Sequence, residues 1–313
     1  MTTQNVKLQN VKTAYNNVAN KGTLYKFNGK FRIPNMVESH VQGVAHYGNY
    51  LLLSHNNKGY SQGFIIVLNT ESMKMVHKIY TPDEHYNHPG GIQVIGNYLI
   101  VPVENSSYSQ SLIHFYDLSE MTDSKPPKNE TFSIIRECSG AGAAGITNYT
   151  DAETEYYLLA AYTKNTIDFY KSNGNPISND PGFQEILFSA TISCETYDSI
   201  CLLTDVNQQI YMIGFRTYNL GGSNEDYADL YEIDLQKKCA SQVIPSRHFY
   251  TEHGGFIGLA GVHFRWGAGL KIVNDSSLNF LATQRNFVGD LFYTNTFLDS
   301  SEVKTVTTKF AEV

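Results

Sequence analysis

Residues 40–69, HVQGVAHYGNYLLLSHNNKGYSQGFIIVLN, are rewritten at 88–117 as HPGGIQVIGNYLIVPVENSSYSQSLIHFYD. His40 and His88, Gly43 and Gly91, Asn49 and Asn97, and Tyr60 and Tyr108 all stand 48 residues apart. A repeat of 40–50 residues that cannot bury its own apolar face must stack on its neighbours, as in solenoids and propellers. The first copy breaks into four strand-length apolar runs, QGVAHY, NYLLLSH, GFIIVLN and KMVHKIY, with the tight-turn pair GN between the first two. Four short antiparallel strands in succession make one blade of a β-propeller.

The same grammar continues with less identity. GAAGITNY, YYLLAAYT, NTIDFYK and EILFSAT form a third unit; SICLLTD, QIYMIGFR, ADLYEIDL and SRHFYTE a fourth; GAGLKIV, NFLATQRN, GDLFYTNTF and VKTVTTKF a fifth. The expected fold is therefore all-β, a β-propeller of four-stranded antiparallel blades starting near residues 40, 88, 142, 197 and 265. Five blades are favoured; six are possible if residues 1–34 supply much of another. Residues 23–34, TLYKFNGKFRIP, read as a strand that closes the ring by joining the last blade, and residues 1–34 as the closing segment. A β-sandwich would also show regular turns but would not keep a 48-residue phase. No Pro/Ser-rich linker divides the chain, so residues 1–313 read as a single domain. The 22 Tyr, 17 Phe and 24 Gly suit many short half-buried strands joined by tight turns.

Several partner classes are disfavoured. With a net charge of −7 and no Lys/Arg block, no nucleic-acid footprint is present. The N-terminal residues lack a cationic region followed by an apolar one, and no apolar run is long enough to span a bilayer, so no membrane partner and a cytoplasmic location are expected. Cys138, Cys194, Cys201 and Cys239 have no C-x-x-C spacing and are expected to be buried free thiols.

In such a blade the start of the innermost strand and the end of the second emerge on one face, around the axis. The residues there are polar and differ from copy to copy. His40, His88, Glu104, Arg216 and Arg285 are the candidate catalytic residues. Gln42, His55, Asn56, Gln93, Tyr162, Tyr197, Asp198, His263, Arg265 and Trp266 are the candidate ligand-binding residues. Histidine transfers protons near neutral pH, a neighbouring carboxylate raises its basicity, and arginine clamps an anion or a developing oxyanion. No metal and no cofactor are expected: H-E-x-x-H and other local ligand spacings are absent, and the arginines would repel a cation. The expected function is metal-independent acid/base catalysis, of lyase, hydrolase or isomerase type, on an anionic or polyhydroxylated small molecule. The alternatives are a lectin-like binding propeller and a protein-interaction scaffold.

Each candidate has a structural reading beside the functional one. His40 and His88 could bond a neighbouring blade, Glu104 could sit in a buried ion pair with Arg216 or Arg285, and Trp266 could plug the channel. Gly43, Gly91, Gly145 and Gly269 read as spacers where inner strands crowd the axis. Tyr60 and Tyr108 read as turn staples, Asp117 and Asp234 as turn residues, and the stretch from Arg216 to Asp229 as a long loop overhanging the funnel. The stretches HPGGIQVIGNYLIVPVE, GAAGIT and FRWGAGL resemble those of a set of microbial β-propeller proteins, most of them hypothetical. The likeness covers roughly residues 38–300 and implies the scaffold, with no catalytic residue.

Overall fold

A computed structural model describes residues 6–29, 40–56, 62–183, 185–192, 196–220, 223–250, 262–284 and 303–310. A short helix, α1 (Val11–Asn17), precedes β1 (Thr23–Gly29). The first repeat folds as β2 (Val41–Tyr47), β3 (Tyr50–His55), β4 (Phe64–Asn69) and β5 (Lys74–Tyr80). The second gives β6 (Tyr86–Pro89), β7 (Gln93–Ile95), β8 (Tyr98–Asn105), β9 (Ser111–Asp117) and β10 (Lys128–Arg136). Then come β11 (Ala143–Asp151), β12 (Thr154–Thr163), β13 (Thr166–Lys171) and β14 (Ile186–Thr191). The fourth unit is β15 (Ser199–Thr204), β16 (Ile210–Leu220), β17 (Ser223–Asp234) and β18 (Cys239–Phe249). Last are β19 (Val262–Ile272), β20 (Leu278–Gln284) and β21 (Val303–Phe310).

Among the described residues, the strands form a β-propeller arrangement of four hydrogen-bonded sheets. Three follow the repeat. The fourth has eight strands, in the order β19-β20-β21-β1-β5-β4-β3-β2. Within it β1 runs antiparallel to β21 from Thr23↔Lys309 to Gly29↔Val303, whereas β1 meets β5 in one parallel pair, Asn28↔Lys74. That pair merges the units beginning at residues 41 and 262 into one sheet, so four sheets stand where the repeat count leads to five. Residues 30–34 of the expected closing segment lie outside the described residues, as do Tyr60, Cys194 and Arg285.

Local chemistry explains the strands. The repeated GN pair is a hairpin turn in which Gly48 and Gly96 take φ of 54° and 53°, a conformation that costs glycine little. Third strands such as β4 (FIIVLN) are buried along their whole length because both sheet faces are covered, while the outer β5 is half-exposed. At the axis the inner strands approach backbone to backbone. A Cβ on Gly269 would lie 1.9 Å from the Val44 carbonyl oxygen, and one on Gly43 2.8 Å from that of Gly90. Asp117 and Asp234 accept backbone N–H bonds from Ser119 and from Gln236 and Lys237, as turn residues do. Cys138, Cys201 and Cys239 are free thiols; only Cys201 is buried, and Cys138, at the exposed end of an outer strand, is not.

The N-terminal segment does more than lead into a strand. Asn10 caps α1 by accepting from Thr13 N at 2.9 Å, and Val11, Ala14, Tyr15 and Val18 sink into the core shared by β16, β17 and β20. Tyr15 Oη donates to the Ala228 carbonyl at 2.6 Å, and Arg247 donates to the carbonyls of Tyr15 and Val18. Among the described residues, no helix is long and apolar enough to cross a membrane.

Candidate functional site

Two β-bulges shape the mouth at the N-terminal ends of the inner strands. Between Val41↔His55 and Gly43↔Ser54, Gln42 is an extra residue with no partner on β3. Between His263↔Thr283 and Ala268↔Ala282, residues 264–267 leave the ladder, with Gly267 at φ 122°. A bulge re-aims the side chains it carries, and these turn Gln42, Arg265 and Trp266 toward the mouth.

Here the repeat becomes asymmetric. His40 and His88 occupy equivalent positions, and so do Asn56 and Glu104. Asn56 Nδ2 lies 3.2 Å from His40 Nδ1, and Glu104 Oε2 lies 3.4 Å from His88 Nδ1. Both Nε2 atoms meet one group, the Gln42 carboxamide, whose nitrogen is placed 2.5 Å from His40 Nε2 and 2.9 Å from His88 Nε2. The counterpart of Gln42 in the second copy is Gly90, so only one such amide exists. Hydrogen-bond accounting orients it. Asn56 Oδ1 accepts from His40 N, which turns its amide nitrogen toward His40 Nδ1 and leaves the ring proton on Nε2. A donor facing that N–H is unsatisfied, so the carboxamide is better turned with its oxygen accepting from both imidazoles. His88 then carries a proton on Nε2, and its Nδ1 faces the Glu104 carboxylate.

The chain of contacts extends round the mouth. The His40 ring stands edge-on to Trp266 at 5.4 Å, and the Arg265 guanidinium lies 4.3 Å from the Trp266 ring centre. Asp198 follows, half-buried, with Oδ2 accepting from Thr217 N at 3.2 Å. Burial pushes the Asp198 carboxyl up to about 7 against the pull of Arg265 and the Thr217 N–H, with Asp226 adding to the rise. On the other side the exposed Tyr108 stands edge-on to His88 at 5.1 Å. The mouth thus assembles His40, Gln42, Asn56, His88, Glu104, Asp198, Arg265 and Trp266 from the expected set.

Other expected residues serve the scaffold. His55 is stacked on Phe64 at 4.6 Å and donates from Nδ1 to the Asn56 carbonyl at 2.6 Å; burial pushes its imidazole down to about 3, so it stays neutral. Gln93 plugs the axis, accepting from Ile146 N and Leu202 N and donating to Leu202 O. Tyr162 and Tyr197 belong to the core between the third and fourth units: Tyr162 Oη accepts from Tyr197 N, and Tyr197 Oη donates to Asp229. Arg216 does not reach the mouth. Its Nε donates to Asp229 Oδ2 at 2.7 Å in a buried ion pair formed across the β16–β17 hairpin, so Glu104 faces His88 rather than Arg216. His263 is also buried, its Nδ1 2.9 Å from Asp226 Oδ2.

The stretch from Arg216 to Asp229 differs from the expected loop. β16 and β17 pair continuously out to Leu220↔Ser223, so it is an extended hairpin, with residues 221–222 outside the described set. Its cross-strand pair Thr217↔Asp226 brings three donors to one carboxylate: Thr217 Oγ1 at 2.5 Å, Phe264 N at 2.9 Å and His263. Asp226 and Asp229 were not among the expected residues. Their signal was aspartate inside a strand, where it is depleted unless paired. Tyr108, read as a turn staple, is the other addition.

No family model matches the chain, and no curated protein matches it. Among solved structures it is similar to the Kuenenia stuttgartiensis hydrazine synthase (12% identity, TM-score 0.38), with 89% of this chain and 64% of that chain covered. It is also similar to a mutant α-L-arabinofuranosidase from Fusarium graminearum in complex with an iminosugar inhibitor (8% identity, TM-score 0.45, 90% and 97% covered). A third is the phage phi92 endosialidase (8% identity, TM-score 0.42, 93% and 69% covered).

Proposed function

We propose that the protein is an acid/base enzyme acting on an anionic or polyhydroxylated small molecule at the N-terminal mouth of the channel. The observation that carries this reading is the broken symmetry of the repeat: two equivalent histidines joined through one amide, with a carboxylate behind only one of them. Once a ligand displaces the Gln42 amide, the neutral His88 ring carries its proton on Nδ1, facing the Glu104 carboxylate, and its freed Nε2 takes up a substrate proton. Asp198, with its carboxyl raised to about 7, holds a proton for a leaving or developing oxyanion. Arg265, stacked on Trp266, supplies the positive charge that pairs with an anionic group. Proton removal and return at one carbon or oxygen serve lyase, isomerase and hydrolase reactions alike.

The same reading takes the ring as five four-stranded units in a single domain, with β1 as the fourth strand of the unit that begins at β19. The seven-residue ladder of β1 on β21, against one bridge to β5, supports that division.

The test is turnover of a panel of hydroxy acids, uronides and glycosides by wild type, Glu104→Gln and His88→Ala. Each variant should lose at least about tenfold, roughly 1.4 kcal/mol of transition-state stabilisation. Full turnover in both would return the pair to the scaffold.

A further inference from the structure

The opposite end of the channel carries a second feature. The C-terminal ends of β2, β7, β11, β15 and β19 converge around a cavity of about 560 Å³. That is within the roughly 300–1,000 Å³ of small-molecule sites. Gln93, whose carboxamide is spent on backbone groups, is part of its lining, and none of the mouth residues named above lines it. Among the described residues, the lining includes Lys7, His46 and Lys271 and no Asp or Glu, in a chain whose net charge is −7. Lys271 Nζ lies 3.0 Å from His46 Nε2; an ammonium must donate, so His46 is neutral there with its proton on Nδ1. The hydroxyls of Thr147 and Thr204 bond one another at 2.9 Å, which leaves one O–H of the pair as a further donor on the wall.

Lys7 is brought to the cavity by a defined anchor. Leu8 pairs with Asp205, and Val206 N donates to the Leu8 carbonyl at 2.9 Å. Lys7 Nζ donates to Gln208 Oε1 at 3.1 Å. Burial pushes the Lys7 ammonium down, while Glu155 and Asp205 outside the lining pull it up. A cation partly stripped of water is one that gains from an incoming counter-charge.

We propose that this cavity is a binding site for a small oxyanion, a phosphate or a carboxylate, held between Lys271 and Lys7. The site is independent of the acid/base reading and stands or falls by itself.

Calorimetric titration of the full chain at low salt, with inorganic phosphate in one arm and citrate in the other, tests it and distinguishes the two sources. One equivalent of the preferred anion should bind. Lys271→Gln and Lys7→Gln should each weaken it at least about tenfold. The exposed control Lys125→Gln should leave it unchanged. Because Lys271 lies on an inner strand, the wild-type chain provides a second measurement: the saturating anion should shield Lys7 and Lys271, but not Lys125, from amine acylation read by mass spectrometry. The proposal is overturned if neither anion binds below about 10 mM, if Lys125→Gln weakens binding as much as the two lining variants, or if acylation is unaffected by the anion.

Discussion

At the scale of single residues, Asp198 and Arg216 show how differently burial treats two charges, one at the mouth and one away from it. Asp198 is raised from an ordinary 3.8 to about 7, so the folded chain holds its proton more tightly than the unfolded chain does. Its contribution to stability therefore declines as pH rises from about 4 to about 7 and is a fixed cost above that. Removing the charge by Asp198→Asn should make the protein more stable at pH 8, on the order of 2 kcal/mol after discounting for remaining contact with water, and should have a much smaller effect at pH 4, near the unfolded-state value. Urea melts at the two pH values check this; an equal difference at both would contradict it. In the reaction, the same variant should lack the fall in turnover through pH 7 expected of an acid that must stay protonated. Arg216 is the opposite case: Asp229, fully buried, relies on it and on Tyr197. Arg216→Ala strands that carboxylate and should cost about 3–5 kcal/mol, seen as a lower denaturant midpoint. A melt unchanged from wild type would mean that the pair is not needed by the fold.

Among the elements, α1 acts as a latch in the groove between the fourth and last units. Tyr15→Phe deletes the donor to the buried Ala228 carbonyl and should cost about 1–3 kcal/mol in thermal or urea unfolding, with helix and strand content preserved. No loss would assign that carbonyl another partner. Val11, Ala14, Tyr15 and Val18 keep a helical spacing that is readable in the sequence, yet they look like lead-in when attention rests on the repeat. The histidines, the axial glycines and the GN turns were legible because each recurs with the period. Gln42 was legible as polar, but its place between two imidazoles depends on a bulge that no composition announces. The Arg216–Asp229 and His263–Asp226 pairs escaped for one reason: they depend on the register of a long hairpin, and a shift of one residue would send every side chain to the other face. Gln93 was legible as polar and expected to meet a ligand, but its bonds to the Ile146 and Leu202 backbones depend on three inner strands meeting once the sheets have assembled.

For the molecule as a whole, the N-terminal segment touches three places: the cavity through Lys7, the inter-unit groove through α1, and β21 through β1. A chain lacking residues 1–34 should leave an unpaired strand edge and an uncovered apolar groove, and should melt earlier and less cooperatively than the full chain. Calorimetry checks both, and coincident melts would remove the segment from the account of stability. The β1–β21 ladder also has a bearing on synthesis. Thr23 pairs with Lys309, so β1 emerges early and then waits for nearly the whole chain before its partner exists. At about 5–20 residues per second that interval is tens of seconds, long enough for an orphaned edge to meet other chains. The β1–β21 ladder can therefore form only after β21 has been made, and until then β1 presents an unpaired edge.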